Sequence, residues 1–369
     1  MIRVCLDCFP FLVRSAGVKA YLFELHRHLL RTAGSNRLSA FPFLDEELAL
    51  HHEGSLLGPF GTAWRFALVL FANTGRNPVL DVLGSHFDVF HASNQVRNPP
   101  RFCKLTTTVH DMTAWSHPEL HTAATVANDK RWAERTVRRA DGVITPSEAT
   151  RADAIRWLNL PPERVRAIHH GVAETYFQVP ESAMAAAGEA YSLAKPYILF
   201  VSTIEPRKNL DRLLDAYEKL PVSVREEFDL VIAGPRGWRS EQTMARLEAK
   251  PAGIRTLGYV PETLLPGLTA GATVFAYPSL YEGFGFPVAQ AMAAGTAVLT
   301  SNVSSLPEIT AGSARLVDPL STTEIGAALQ ELITMPSLRE RLRNLGLARA
   351  QHFRWERCAR ETWEFFEHV

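Results

Sequence analysis

The residues best suited to chemistry stand in the second half of the chain. Arg207 and Lys208 are adjacent cations in Ser202-Thr203-Ile204-Glu205-Pro206-Arg207-Lys208-Asn209, directly after an apolar run. Further on, Ser279-Leu280-Tyr281-Glu282-Gly283-Phe284-Gly285-Phe286-Pro287 also follows an apolar run, and it leads into a helical pattern holding Gln290. Strand-to-helix turns of this kind favour an anion, because free N–H groups and the helix dipole point at it. Arginine adds a planar phosphate-binding fork and lysine a compact charge. Gly283 and Gly285 let backbone come close to a bound group. A carboxylate, an amide and two cations around a glycine-rich helix start suit a polyhydroxylated ligand that carries a diphosphate.

The first half holds a second set. His110-Asp111 ends the apolar run Leu105–Val109, and Ser15-Ala16-Gly17-Val18-Lys19 follows the opening strand and starts a helical pattern. Neither Gly17 nor the Ser202 turn is a P-loop, and neither is a G-x-G-x-x-G fingerprint. His169 and His170 precede Gly171 with no carboxylate or cysteine at ligand spacing, so no metal site is expected. Cys5-x-x-Cys8 lies inside an apolar strand, and no further Cys/His pair completes a zinc pattern, so both are expected as buried thiols.

Short apolar runs alternating with amphipathic helical patterns must position these residues, and that alternation predicts βαβ units and parallel sheets. The first series of strands is Ile2–Cys8, Val89–Ala92, Leu105–Val109, Gly142–Thr145 and Val165–His169, with helices over Val18–Arg31 and Asp129–Arg139. The second is Tyr197–Ser202, Leu230–Ala233, Ile254–Tyr259, Val274–Tyr277, Ala297–Ser301 and Ala314–Val317. The alanine-rich Val179–Lys195 between them reads as a linker. Two domains are expected, 1–178 and 179–352.

Bulk properties narrow the function classes. The 369 residues are 46% apolar and 21% charged, and 39 Lys plus Arg balance 39 Asp plus Glu. A strongly basic nucleic-acid surface is therefore not expected. Sparse cysteines and an opening strand in place of a charged, then apolar, leader predict a cytoplasmic protein. The stretch Gly58–Arg76 sets Trp64, Phe66, Leu68, Leu70 and Phe71 beside Arg65 and Arg76. Its apolar run is too short to span a bilayer, so it is either a buried helix or a segment lying on the inner membrane face. Arg131, Arg135, Arg138 and Arg139 would add to attraction for anionic lipid.

With these segments in order the chain resembles glycosyltransferase family 4, the retaining enzymes of GT-B fold. The resemblance rests on Gly17-Val18-Lys19, Val109-His110-Asp111, Val143–Ser147, His169-His170-Gly171-Val172, Glu205–Leu210, Val231–Gly234, Leu257–Val260, the Glu282 stretch and Phe353–Glu356. Their wording is most similar to mannosyltransferases of bacterial O-antigen and exopolysaccharide assembly. The resemblance implies two Rossmann-like domains with parallel sheets facing a central cleft, the acceptor-binding one completed by a returning helix over 353–369.

It also implies roles. Arg207 and Lys208 would hold the donor diphosphate, taking the place of a metal, and no cofactor beyond the nucleotide-sugar substrate is implied. Glu282 would sit near the donor sugar, and His110 would face that sugar from the first domain. Gly17, Ser202, Thr203, Gly283, Phe284 and Gly285 would line the donor, with Tyr259 and Val260 near its base. Gln290 stands where the family usually has a glutamate that accepts from the ribose hydroxyls; glutamine keeps one acceptor oxygen. No carboxylate is placed as a nucleophile, so front-face attack is implied, with the leaving phosphate taking the acceptor's proton. The partners are thus a nucleotide-sugar donor, a best guess being GDP-mannose, and a glycan or lipid-linked acceptor. Two alternatives stay open: another GT-B enzyme such as a nucleotide-sugar epimerase, and a non-catalytic partner subunit.

Overall fold

The computed structural model describes residues 1–13, 17–42, 55–73, 81–82, 84–93, 96 and 98–369. Ser15, Ala16 and Arg76, which the sequence singles out, lie outside the described residues. Two compact units account for the chain, Met1–Gly171 with Trp355–Val369, and Val172–Arg354.

In the first unit, β1 (Arg3–Asp7), β2 (Arg37–Phe41), β3 (Val89–Ala92), β4 (Lys104–Thr108), β5 (Gly142–Thr145) and β6 (Val165–Ala167) form one sheet. Its order is β2-β1-β3-β4-β5-β6, with every pairing parallel. Strands covered on both faces read as continuous apolar runs, and Val4, Leu6, Phe90, Val143 and Ile144 are buried accordingly. β4 buries three threonines instead, and their hydroxyls find partners; Thr107 Oγ1 donates to the Ala92 carbonyl at 2.8 Å. β2 escapes the sequence reading because Arg37-Leu-Ser-Ala-Phe has no apolar run, which an edge strand with one neighbour does not need.

Helix Gly17–Thr32 buries Tyr21, Leu22, Leu25, His28 and Leu29 along one face. Helix Trp355–His368 packs beside it, burying Trp355, Ala359, Trp363 and Phe366. The Trp363 indole N–H donates to the Leu29 carbonyl at 3.1 Å, so the last residues complete the core of the first unit. The expected helix Asp129–Arg139 runs instead over Ala123–Arg135, and Val137–Arg139 tightens into a 3₁₀ turn.

In the second unit, β7 (Tyr197–Val201), β8 (Asp229–Ala233), β9 (Ile254–Gly258), β10 (Val274–Tyr277), β11 (Val298–Ser301) and β12 (Arg315–Val317) lie in the order β9-β8-β7-β10-β11-β12, again all parallel. The stretch 179–195 is not a free linker. Alanine is the strongest helix former, and Glu181–Ala190 is a helix packed on helix Leu265–Ala270. The contact is close, since a Cβ on Gly267 would lie 2.1 Å from the Ala183 carbonyl oxygen. The units accordingly part at 171/172 and 354/355, and residues 172–178 belong to the second.

Trp64 to Ala72 falls within helix Pro59–Asn73. Only part of it is core: Val69 is buried, while Phe60, Leu70 and Phe71 are 84%, 55% and 56% exposed.

Candidate active site

In the second sheet successive strands step outward from β7 to β9, and the chain then returns to β10 on the opposite side of β7. Open α/β sheets bind ligands beyond the carboxyl ends of the strands at such a reversal. There, β7 runs into Ser202–Asn209 and β10 into Pro278–Gly285. The Ser202 amide donates to the Ala233 carbonyl at 2.9 Å. Gly234, at φ 142°, makes this possible, because a Cβ there would lie 1.8 Å from the Ser202 carbonyl oxygen. Pro206–Lys208 forms a 3₁₀ turn ending at Asn209, whose φ is 60°. The Asn209 amide donates to the carbonyls of Pro278 and Pro319 at 2.8 and 2.7 Å, and the Leu280 amide to that of Arg207 at 2.8 Å. The two loops are stitched together before any side-chain charge is considered.

The charges then meet in one cluster. Lys208 Nζ lies 2.7 Å from Glu282 Oε1, and Arg207 Nη1 lies 3.0 Å from Glu282 Oε2. Arg207 Nη2 is 2.8 Å from Glu205 Oε1, and Nη1 also donates to the Tyr281 carbonyl at 2.9 Å. Tyr277 and Ser279 hydroxyls lie 2.9 and 2.8 Å from Glu282 Oε1. Burial alone would raise the Glu282 carboxyl, but Arg207 and Lys208 outweigh it and hold it at about 2. Burial lowers the Lys208 ammonium and the neighbouring Arg207 adds to this, against the pull of Glu282 and Glu205. Burial likewise raises Glu205, with Arg207 opposing.

Neither cation stands open to solvent: their side chains are only 14% and 10% exposed. Buried cations need partners, and Glu205 and Glu282 supply them. The Lys208 ammonium, with three N–H donors, has capacity beyond its pair with Glu282. Glu205, Tyr277 and Ser279 received no role from the sequence. Glu205 stood inside the Arg-Lys motif, and the acidic charge two residues before Arg207 was the available signal.

The other expected residues surround this centre at different distances along the sheet. Ser202 and Thr203 lead out of β7, and Ser202 hydrogen-bonds Tyr277. Gly283 and Phe284 are buried, with the Ser305 hydroxyl 2.9 and 3.0 Å from the Glu282 and Phe284 carbonyls. Gly285, at φ 93°, turns the chain into helix Phe286–Ala293. Gln290 is half-buried on that helix, and its side chain makes no hydrogen bond to any described residue. Tyr259 is exposed and Val260 buried just past β9, the edge strand.

In the first unit strand order reverses between β1 and β3, and His110 follows β4, the next strand along. A cavity of about 160 Å³ opens there, lined in part by Tyr21, His91, Ser93, His110, Asp111, Trp115, Asp129 and Trp132. His91 bridges Thr106 Oγ1 and Thr108 Oγ1 at 2.9 and 3.0 Å. Burial pushes His91 down to about 3 and His110 down to about 4, so both are neutral at physiological pH. Tyr21 packs edge-on against His110 with ring centroids 4.8 Å apart. Behind the cavity the buried Asp7 carboxylate accepts from the Phe9 and Ser93 amides, each at 3.0 Å, and from the Ser93 hydroxyl. Burial pushes Asp7 up to about 6 against these bonds. Gly17 is exposed at the first turn of its helix.

Comparison with known proteins follows the same division into halves. Residues 16–175 match the family "Glycosyltransferase Family 4" and residues 189–348 match "Glycosyl transferases group 1". The chain is 34% identical to O-antigen chain mannosyltransferase B of Escherichia coli over 277 residues, covering 74% of this chain and 72% of that protein. It is 29% identical to the serotype-specific mannosyltransferase WbdA of Escherichia coli, over 62% of this chain but only 29% of the larger protein. Among solved structures, sucrose-phosphate synthase from Thermosynechococcus elongatus superposes with a TM-score of 0.74 at 20% identity, over 100% of this chain and 99% of that one.

Proposed function

The chain belongs to glycosyltransferase family 4 and has the GT-B fold, and from that premise we propose that it transfers a mannosyl group from a nucleotide-sugar, GDP-mannose, with retention of configuration. The acceptor is a hydroxyl of a glycan or lipid-linked glycan in bacterial surface polysaccharide synthesis, as the names of the two Escherichia coli relatives suggest. The observation that carries this reading is the Arg207–Lys208–Glu282–Glu205 cluster at the strand-order reversal.

In this reading the donor diphosphate lies against the Arg207 guanidinium and the Lys208 ammonium. Their carboxylate partners hold them in place beforehand, so little reorganisation accompanies the charge that grows on the leaving phosphate. Glu282 acts mainly as the counter-ion that aims both cations. Backbone at Gly283–Gly285, with Ser202 and Thr203, lines the sugar and phosphates; Tyr259 and Val260 meet the base, and Gln290 the ribose. His110, neutral, offers a hydrogen bond to the donor sugar. The acceptor hydroxyl attacks from the leaving-group side and passes its proton to the departing phosphate, with no metal required.

A thermal-shift screen of GDP, UDP, dTDP and ADP selects the base, because only the bound nucleotide raises the melting temperature with concentration. Transfer from GDP-mannose in excess EDTA, with the product's anomeric configuration read by NMR, tests the rest. Stabilisation by UDP alone, an inverted product or loss of rate on chelation each overturns the corresponding part.

The protein acts in the cytoplasm and touches the inner membrane face through helix Pro59–Asn73. Among the described residues no helix is long and apolar enough to cross a membrane. The exposed Phe60, Trp64, Leu70 and Phe71 suit the headgroup region. Arg65 does not serve as an anionic-lipid contact, since its side chain is buried and donates to the Pro42 carbonyl at 3.1 Å. Flotation with vesicles is the test, and a protein that stays unbound at low salt on anionic vesicles rules the contact out.

A further inference from the structure

The four charges that meet beyond β7 and β10 sum to zero, Arg207 and Lys208 against Glu205 and Glu282. A nucleotide-sugar is a diphosphate diester and brings two further negative charges to the same place. Two cations would then face four anions, among side chains that are each 14% exposed or less. Uncompensated charge is costly where water is scarce, and a buried carboxylate relieves it by taking a proton.

The two carboxylates are not held alike. Glu282 meets Lys208, Tyr277 and Ser279 at Oε1, at 2.7, 2.9 and 2.8 Å, and Arg207 at Oε2, at 3.0 Å. Four donors hold it ionised. Glu205 is 5% exposed, and its Oε1 lies 2.8 Å from Arg207 Nη2. That pair is close but not aligned as a hydrogen bond, so Oε1 is an enclosed acceptor with no hydrogen bond among the described residues. Burial pushes the Glu205 carboxyl up, Arg207 and Lys208 pull it down, and Glu282 pushes it up again. Tyr277 is kept neutral by burial. The loop after β8 runs beside Ile204 and carries Arg236, which is exposed and lies 3.7 Å from Glu241.

A phosphate oxygen on the Arg207 guanidinium competes with Glu205 for that cation and sets like charge near the carboxylate. Both effects favour the carboxylic acid. We propose that Glu205 takes up one proton from solvent when the donor binds, and so acts as a positioning residue that releases Arg207 to the diphosphate. The proposal rests on the placement of the diphosphate above and deepens it. Carboxylate and proton give a carboxylic acid, and the cluster passes from zero to one net positive charge against the ligand. The bound state holds this proton more tightly than the free state. Donor affinity therefore falls as pH rises between the two proton affinities of Glu205, and is level on either side.

Titration calorimetry on the full chain tests this with GDP-mannose, UDP-glucose, ADP-glucose and dTDP-glucose, whose diphosphate diesters do not titrate near neutral pH. Each titration that shows binding is repeated in buffers of low and high ionisation enthalpy across the range from weakly acidic to weakly alkaline, which counts the protons taken up. The wild type is expected to take up as much as one proton per donor, with affinity falling by up to about ten-fold per pH unit. Glu205→Gln keeps the shape of the protonated group. It should bind the donor without proton uptake or pH slope, and at alkaline pH at least as tightly as the wild type. A merely structural Glu205 would leave the proton count unmoved on substitution. Glu205→Ala gives the same count where the glutamine variant does not fold. Two results overturn the proposal: the wild type takes up no proton anywhere in the range, or the variants take up as much as the wild type. Failure of the donor reading looks different, with none of the four nucleotide-sugars bound at any pH, and it removes this proposal as well.

Discussion

The two sheets bring opposite electrostatics to equivalent places. Beyond β7 and β10 two cations and two carboxylates neutralise one another at contact distance. Beyond β3 and β4 the described residues lining the cavity include the carboxylates Asp111 and Asp129 and two histidines that burial keeps neutral. A compensated cluster of fixed cations suits a ligand that arrives heavily charged. Strand order sets where each site lies, and the few side chains in the turns set what it can hold.

Breaking the compensation should have the largest effect. Glu282→Gln leaves Arg207 and Lys208 with Glu205 as their remaining carboxylate partner, and removing one member of a buried ion cluster costs about 3–5 kcal/mol. Urea denaturation followed at the second unit should show that loss; a variant as stable as wild type would mean the pairs are dispensable. Arg207→Ala and Lys208→Ala should each cost about 2–4 kcal/mol in kcat/KM for transfer, with the variants also less stable because Glu282 and Glu205 lose a partner. Wild-type kinetics in both variants would remove the diphosphate role.

Acidity separates the two ends by sign. Asp7 binds its proton more tightly folded than unfolded, since its carboxyl rises from 3.8 to about 6. Its contribution to stability therefore falls as pH climbs through that window, by about 3 kcal/mol. Glu282 falls from 4.5 to about 2, so its contribution is full above 4.5 and is lost as pH drops toward 2. Buried His91 and His110 run against Asp7, gaining stability as pH rises toward 6.5, so the difference between wild type and Asp7→Asn isolates it. Hydrogen exchange at β1 and β7 reads each unit separately. Asp7→Asn should gain on the wild type between pH 4 and pH 6 in β1 and not in β7. The smallest effect concerns Gln290. Gln290→Glu should keep or improve nucleotide affinity, and Gln290→Ala should weaken it by about 1 kcal/mol, measured by titration calorimetry. Two unchanged affinities would put the ribose elsewhere.

Arg207, Lys208 and Glu282 were legible because phosphate chemistry needs those types at strand-to-helix turns, and parallel sheets announce such turns through their apolar runs. Their burial was not legible. Whether a cation faces solvent or a carboxylate depends on how two loops distant in sequence meet, and that meeting is made by Asn209 and Ser279 bonding to backbone. β2 was missed for want of an apolar run, and 179–195 was misread because alanine enrichment fits a linker as well as a helix. The carboxylates of the first unit were hidden differently. Asp111 stood beside a histidine that drew attention first, and Asp129 belongs to a helix whose arginines suggested a surface role.

The helix Trp355–His368 supplies Trp355, Trp363 and Phe366 to the core of the first unit, although the whole of the second unit lies between them in the chain. Synthesis therefore meets the two units out of order. Residues 172–354 are contiguous and can close their core as soon as they emerge, whereas the unit begun earlier must wait for the final residues before Leu29 and its neighbours are covered. During that interval the earlier half exposes an apolar helix face to whatever is nearby, so a stop just before Trp355 would damage the half of the protein that is made first.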